Sequence, residues 1–161
     1  MLLKVFRFIV IMVAALSLTV GLGHLMQLPS RMAWDQYLWV GSTVQGGFYR
    51  LSGPVGVLLQ AVSLIGLIVL AAVERRHEEA GFGMTAVAAL LFGAGLILWW
   101  LLVYPANVEL ANWVNGPVPD DWTAWRARWE WGQAANGIVQ LLGFAALIAS
   151  LLIGMSSKDR G

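Results

Sequence analysis

The stretch Asp121–Ile153, DWTAWRARWEWGQAANGIVQLLGFAALIASLLI, decides how the chain is read. Its first part interleaves Trp122, Trp125, Trp129 and Trp131 with Arg126, Arg128 and Glu130, and its second part carries no charge at all. Pro117 and Pro119 stand upstream, and Asp120 or Asp121 is placed to cap a helix start. Asp121–Gln133 then runs without a breaker, apart from Gly132, into the apolar part, so the sequence predicts one long helix. Its part from about Ala134 to Ile153 is apolar enough to cross a bilayer, and Asp121–Gln133 extends beyond it.

Working outward, three further apolar runs reach the roughly 17–25 residues that a crossing needs. They are Val5 to about Leu28, Pro54–Val73 and Met84–Tyr104. Over 161 residues the chain is 59% hydrophobic and 12% charged, against roughly 25% charged in soluble domains. The fold class is therefore an all-α membrane protein, a single antiparallel bundle of four transmembrane helices. The outer segments 29–53 and 105–133 are expected to form an ordered cap. Ten Lys and Arg against nine Asp and Glu leave no basic excess for neutralising phosphates, so nucleic acid is not an expected partner. Without cysteine there is no disulfide, thiol redox pair or thiolate metal site. The basic start with Lys4 and Arg7 has no small-residue cleavage site after it, so the first run is read as a retained span and not as a signal peptide.

Orientation follows from short-loop charge. Lys4, Arg7, Arg75, Arg76, Lys158 and Arg160 sit in two short tails and one tight loop, whereas Arg31, Arg50, Arg126 and Arg128 are spread over two long loops. The positive-inside bias places both termini in the cytoplasm, in a cell (inner) membrane. All nine Trp and all three Tyr fall in the long loops or at the outer ends of spans. An interfacial belt together with the core of the cap explains such a distribution, and so does an aromatic-lined site beneath the cap.

Polar residues recur on one face of each span. Arg126, Trp129, Gln133, Asn136 and Gln140 fall within an arc of roughly 80° at 100° per residue. Ser17, His24 and Gln27 do the same in the first span, Gly53, Gly56, Gln60 and Ser63 in the second, and Trp100, Tyr104 and Asn107 in the third. Unpaired polar groups are costly in hydrocarbon, so the stripes are expected to face one another inside the bundle. Singly, each amide reads as interhelical hydrogen-bond glue worth on the order of 1 kcal/mol. As a set at one depth they outline a site, with His24 and Arg126 as its catalytic candidates. Asn107, Gln133, Asn136, Gln140, Trp129 and Tyr104 are its ligand-binding candidates.

No cofactor is expected. His24 with Glu109 and Glu130 would be a minimal metal set, but either Glu can pair instead with Arg126, Arg128 or Arg31. No nucleophilic triad or phosphate-cradling glycine loop is recognisable, and the glycines of GLG, GAG and SGPVG read as close helix packing. Acid–base chemistry remains, because histidine is the side chain that ordinarily exchanges its proton near neutral pH. Its expected target is an acidic carbon or phenol of a lipophilic substrate.

The strings His24-Leu-Met-Gln-Leu-Pro29, Tyr104-Pro-Ala-Asn107 followed by Asn112-Trp113, and Trp122 through Arg126, Trp129 and Glu130 resemble the motifs of a bacterial family. That family consists of small four-span membrane proteins of unknown function and is grouped with the fungal anthrone oxygenases. The resemblance implies oxidation of an aromatic, quinone-like lipophile by molecular oxygen without metal or flavin. The chain departs from the pattern at Gln133, where relatives commonly carry histidine, and at Gln27, where they often carry glutamate. Two functions therefore stand side by side. One is a cofactor-independent oxygenase-like enzyme; the other is a non-catalytic membrane protein that binds a lipophile or a partner helix through the same residues. The topology is checked directly: a cysteine introduced at Ser42 is expected to react with an impermeant thiol reagent from outside intact cells, and labelling only at Ser157 would reverse the orientation.

Overall fold

In the computed structural model residues 2–158 are described, with backbone alone for 47–52 and 157–158. The elements are α1 (Leu2–Ala33), α2 (Gln36–Val40), a π-helical turn (Gly41–Gln45), α3 (Gly47–Arg76), α4 (Phe82–Leu98), a second π turn (Trp99–Val103), α5 (Tyr104–Asn112) and α6 (Trp122–Lys158). Among the described residues four helices are long and apolar enough to cross a membrane: Leu2–Ala33, Gly53–Arg76, Phe82–Asn112 and Trp122–Ser156. They form an antiparallel bundle in which α1 packs on α3 and α6, and α4 packs on the same two. The long helix expected from Asp121 onward is α6, which begins one residue later.

The segments read as outer loops are mostly helical. α1 continues through Pro29 to Ala33 because that proline lies on an exposed face near the helix end. Pro105 likewise continues a helix. Its missing N–H would leave the carbonyl of Leu101, four residues back, without a donor. Arg128 of α6 donates to that carbonyl at 3.0 Å instead.

Two buried ion pairs bracket the bundle, one near each end of α1. Arg7 donates to Glu74 Oε1 at 2.6 Å at the end that carries the α3–α4 loop. Arg31 donates to Glu130 Oε1 at 2.7 Å at the capped end. The 24 residue steps from Arg7 to Arg31 span about 36 Å of helix, slightly more than the roughly 30 Å hydrocarbon core of a bilayer.

Near mid-depth the four spans are joined by amides. Ser17 of α1 donates to Gln140 Oε1 at 2.8 Å, and Gln140 Nε2 donates to Gln60 Oε1 of α3 at 3.3 Å. Gln60 and Asn136 exchange bonds of 3.0 and 3.2 Å, and Gln60 Nε2 also reaches the Phe92 carbonyl of α4 at 3.3 Å. A Cβ at Gly95 would lie 2.6 Å from Gln60 Nε2 and 2.7 Å from Asn136 Oδ1, so the network needs that position bare. Toward the uncapped end, Val10, Ala14, Leu67, Leu70, Ala88, Phe92 and Leu147 form a dry core.

Helices α1 and α6 touch backbone to backbone where Gly21 meets Gly137. A Cβ on Gly137 would stand 2.5 Å from the Gly21 carbonyl oxygen, and no side chain is there to move aside. Gly137→Ala should therefore force the helices apart and destabilise the protein by about 1–3 kcal/mol. Gly23→Ala, whose new methyl meets nothing within 4 Å, should change stability little. Unfolding of both variants in detergent checks this, and equal effects would refute the close-approach reading.

Candidate functional site

The cap is built around Trp39, which is fully buried. Val40, Val44, Val103, Ala106, Leu110, Trp113 and Trp129 share its core, with Trp34, Trp99, Trp122 and Trp125 packed around them. Trp39 meets Trp113 and Trp129 edge to face, with ring centroids 6.5 and 6.1 Å apart. Trp100 and Trp131 remain about 60% exposed, as an interfacial belt requires. Asp35 starts α2 by accepting from the Leu38 amide at 2.8 Å, which turns the chain back across the bundle top.

A polar clasp locks this cap to the membrane helices. Glu130 Oε1 accepts from both Arg31 Nε and Trp39 Nε1 at 2.7 Å, and Arg31 Nη2 also donates to the Thr43 hydroxyl. The guanidinium of Arg31 stacks 5.0 Å from the Trp34 ring and 5.4 Å from Trp129. Arg126, one turn before Glu130, donates to the Trp34 carbonyl at 2.6 Å and lies over Trp122 at 4.7 Å. The spacing of Arg126 and Glu130 suggests that they pair with each other. The structure instead gives Glu130 to Arg31 and sets Arg126 on the carbonyl end of α1, where a cation suits the helix dipole.

Beneath the clasp lies a cavity of about 510 Å3, within the range of small-molecule sites. His24, Tyr104, Asn107, Trp129 and Gln133 line it, together with Thr43, Pro54, Val57 and Trp99. His24 meets the Trp129 ring edge to face at 5.1 Å, and Trp129 Nε1 donates to Asn107 Oδ1 at 2.7 Å. The Asn107 carbonyl is thereby engaged, and its side chain borders the cavity. Gln133 is buried, at 8% exposure, lines the same space, and makes no side-chain hydrogen bond among the described residues. Its amide atoms open onto the cavity, and among the described residues the buried side-chain polar atoms without a partner are instead Glu74 Oε2, Arg126 Nε and Glu130 Oε2.

The remaining candidates lie elsewhere. Asn136 and Gln140 belong to the closed amide network at mid-depth, and Arg126 belongs to the clasp; none of the three lines the cavity. The third-span stripe also differs by one residue. Trp99, not Trp100, shares the cavity with Tyr104 and Asn107, because the π turn bonds the Tyr104 amide to the Trp99 carbonyl five residues back. Trp100 stacks outside on Tyr104, with ring centroids 4.6 Å apart. Thr43 was not legible as a site residue, since nothing in Gly41–Gln45 marks that turn as folding over the bundle. Glu109 accepts from Trp113 Nε1 at 3.1 Å, and among the described residues no three His, Asp or Glu side chains gather as a metal site.

The chain matches no protein-family model, no curated protein and no solved structure. The clasp predicts a distinctive double-mutant result. Glu130→Leu strands a buried guanidinium and should destabilise the protein by about 3–5 kcal/mol, whereas Arg31→Leu combined with Glu130→Leu should be less damaging than Glu130→Leu alone. Denaturation of the single and double variants decides the matter, and simple additivity would show that the two charges act independently.

Proposed function

We propose that this protein resides in the cell's inner membrane with both termini cytoplasmic and binds a small lipophilic, aromatic or quinone-like ligand in the cavity under its outer cap. The amide of Gln133, which opens onto the cavity and makes no side-chain hydrogen bond among the described residues, carries this reading. Elsewhere in the bundle Gln60, Asn136 and Gln140 are hydrogen-bonded to one another, whereas the Gln133 amide borders the cavity, where a ligand can reach it. His24 and Asn107 add polar side chains to the same lining, and the Trp99, Tyr104 and Trp129 rings suit a flat aromatic body. The described lining consists of amide, imidazole, hydroxyl, aromatic and aliphatic side chains, which suit a neutral ligand.

A second reading, oxidation of the ligand in the manner of the anthrone oxygenases, is favoured by one observation: His24 borders the same cavity. As a base it would take a proton from an activated methylene. Molecular oxygen would then supply the new carbonyl oxygen, and its second atom would leave as water. Arg126 lies outside the cavity, so charge on the resulting enolate would be met by the Asn107 and Gln133 amides.

Binding is tested with an uncharged benzoquinone and the full-length protein in nanodiscs. Gln133→Leu and His24→Ala should each weaken binding by about tenfold or more, one lost hydrogen bond to a desolvated group being worth about 1–3 kcal/mol. Gln140→Leu, outside the cavity, should perturb stability instead. Unchanged binding in the first two variants would leave the residues as helix glue. Oxygen uptake gained by Gln133→His with an anthrone would support the oxygenase reading, and none would leave binding alone.

A further inference from the structure

Beside the cavity, on the lipid-facing flank of the bundle, runs a second hollow of about 350 Å3. Val57 of α3 and Leu96, Ile97, Trp99, Trp100 and Leu101 of α4 and its π turn line it. No amide, hydroxyl or charged side chain is among them. Ile97, Trp100 and Leu101 are each more than half exposed, at the depth where a bilayer would surround them. Val57 and Trp99 also line the cavity, so one aliphatic and one indole side chain form the partition between a polar chamber and an apolar groove.

The groove adjoins the chamber across the Val57–Trp99 partition, and each half suits a different part of one molecule. Resting on the binding reading above, we propose that chamber and groove are a bipartite site for a tailed amphiphile. A neutral, oxygen-bearing ring would sit among His24, Asn107 and Gln133, and an alkyl or isoprenoid chain would pass Val57 and Trp99 to lie along Leu96–Leu101. The described lining of amide, imidazole, aromatic and aliphatic side chains suits a neutral ring. A molecule already dissolved in the membrane reaches such a site sideways, through the partition, without crossing the cap.

The tail leaves one hydrocarbon for another, so the groove contributes fit and tethering more than hydrophobic transfer. The expected gain from the tail is accordingly moderate, about tenfold in affinity.

The probes are a dimethoxy-methyl-benzoquinone without a tail and its decyl derivative carrying a diazirine at the chain end. Both are applied to the full-length protein in phosphatidylcholine nanodiscs. The decyl compound should bind about tenfold tighter. On illumination it should label Val57 or residues 96–101, and excess tail-free quinone should suppress the labelling. Ile97→Trp, at a lipid-exposed position, should remove the tail's advantage while leaving tail-free binding unchanged. Gln133→Leu should abolish the groove label.

Equal affinity for the two probes, or a groove label that persists in Gln133→Leu, would overturn the bipartite site and leave the cavity reading standing. The bipartite site also fails if a phosphatidylcholine bearing the diazirine on its acyl chain labels the groove and the decyl quinone does not displace it. Absence of any His24- or Gln133-dependent binding of the tail-free quinone would overturn both readings together.

Discussion

The Arg31–Glu130 pair is the contact on which the capped half of the molecule depends. It joins the last turn of α1 to α6 at a fixed height, and both side chains are fully buried. A pair of this kind adds little net stability over an apolar equivalent, because two charges have been stripped of water. Its value lies in register: a shift of either helix by one turn separates the charges and leaves both stranded. Trp39 and Thr43 bond to the same pair, so the segment between α1 and α3 is fastened to the point that sets α1 against α6. With the pair in place, His24 lies about 10 Å and Gln133 about 5 Å below it along their helices, close enough to border one space.

The face of α6 was readable from residue spacing, and its division into layers was not. Arg126, Trp129, Gln133, Asn136 and Gln140 recur at steps of three and four, and all of them turn into the protein, with Glu130 beside Trp129. Periodicity reports direction but carries no information about what waits on the facing helix. Three different partners wait there: the end of α1 for Arg126 and Glu130, a cavity for Gln133, and Gln60 with Ser17 for Asn136 and Gln140. The four spans and the long α6 could be read because length and apolarity are properties of one segment. Of the ion pairs, Arg31–Glu130 was one of several pairings open to Glu130, and Arg7–Glu74 gave no signal. Arg7 and Arg31 register in a sequence as loop charges that report orientation, and only the continued helices bring Glu74 and Glu130 to them.

The one-residue error in the third span has a local cause. Trp100, Tyr104 and Asn107 align on an α-helix of 3.6 residues per turn, but the turn Trp99–Val103 is wider. A π turn inserts the equivalent of one extra residue and rotates the helix beyond it. Trp99 comes inward beside Tyr104, and Trp100 goes out toward lipid. Pro105 immediately after the turn and the Arg128 bond to the Leu101 carbonyl belong to the same distortion, since a proline there removes one backbone donor. No hydropathy pattern announces such a turn.

That distortion also bears on why the cavity exists where it does. At mid-depth Gly21, Gly95 and Gly137 let backbones and amides approach until the facing amides are engaged with one another. Higher up, α6 presses Gly132 against Leu102 and Val103 of the π turn, where a Cβ would stand 3.0 Å from each. The α6 backbone is thus held tight on one side while Trp129 and Gln133 extend toward α1 and α5 on the other. Large rings at Trp99, Tyr104 and Trp129 then keep the helices from closing over the space, and rigid aromatic walls cannot collapse as flexible aliphatic ones can. The small residues that seal the lower bundle are replaced at this level by indoles and a phenol, and the amide that would have joined the network is left facing a cavity.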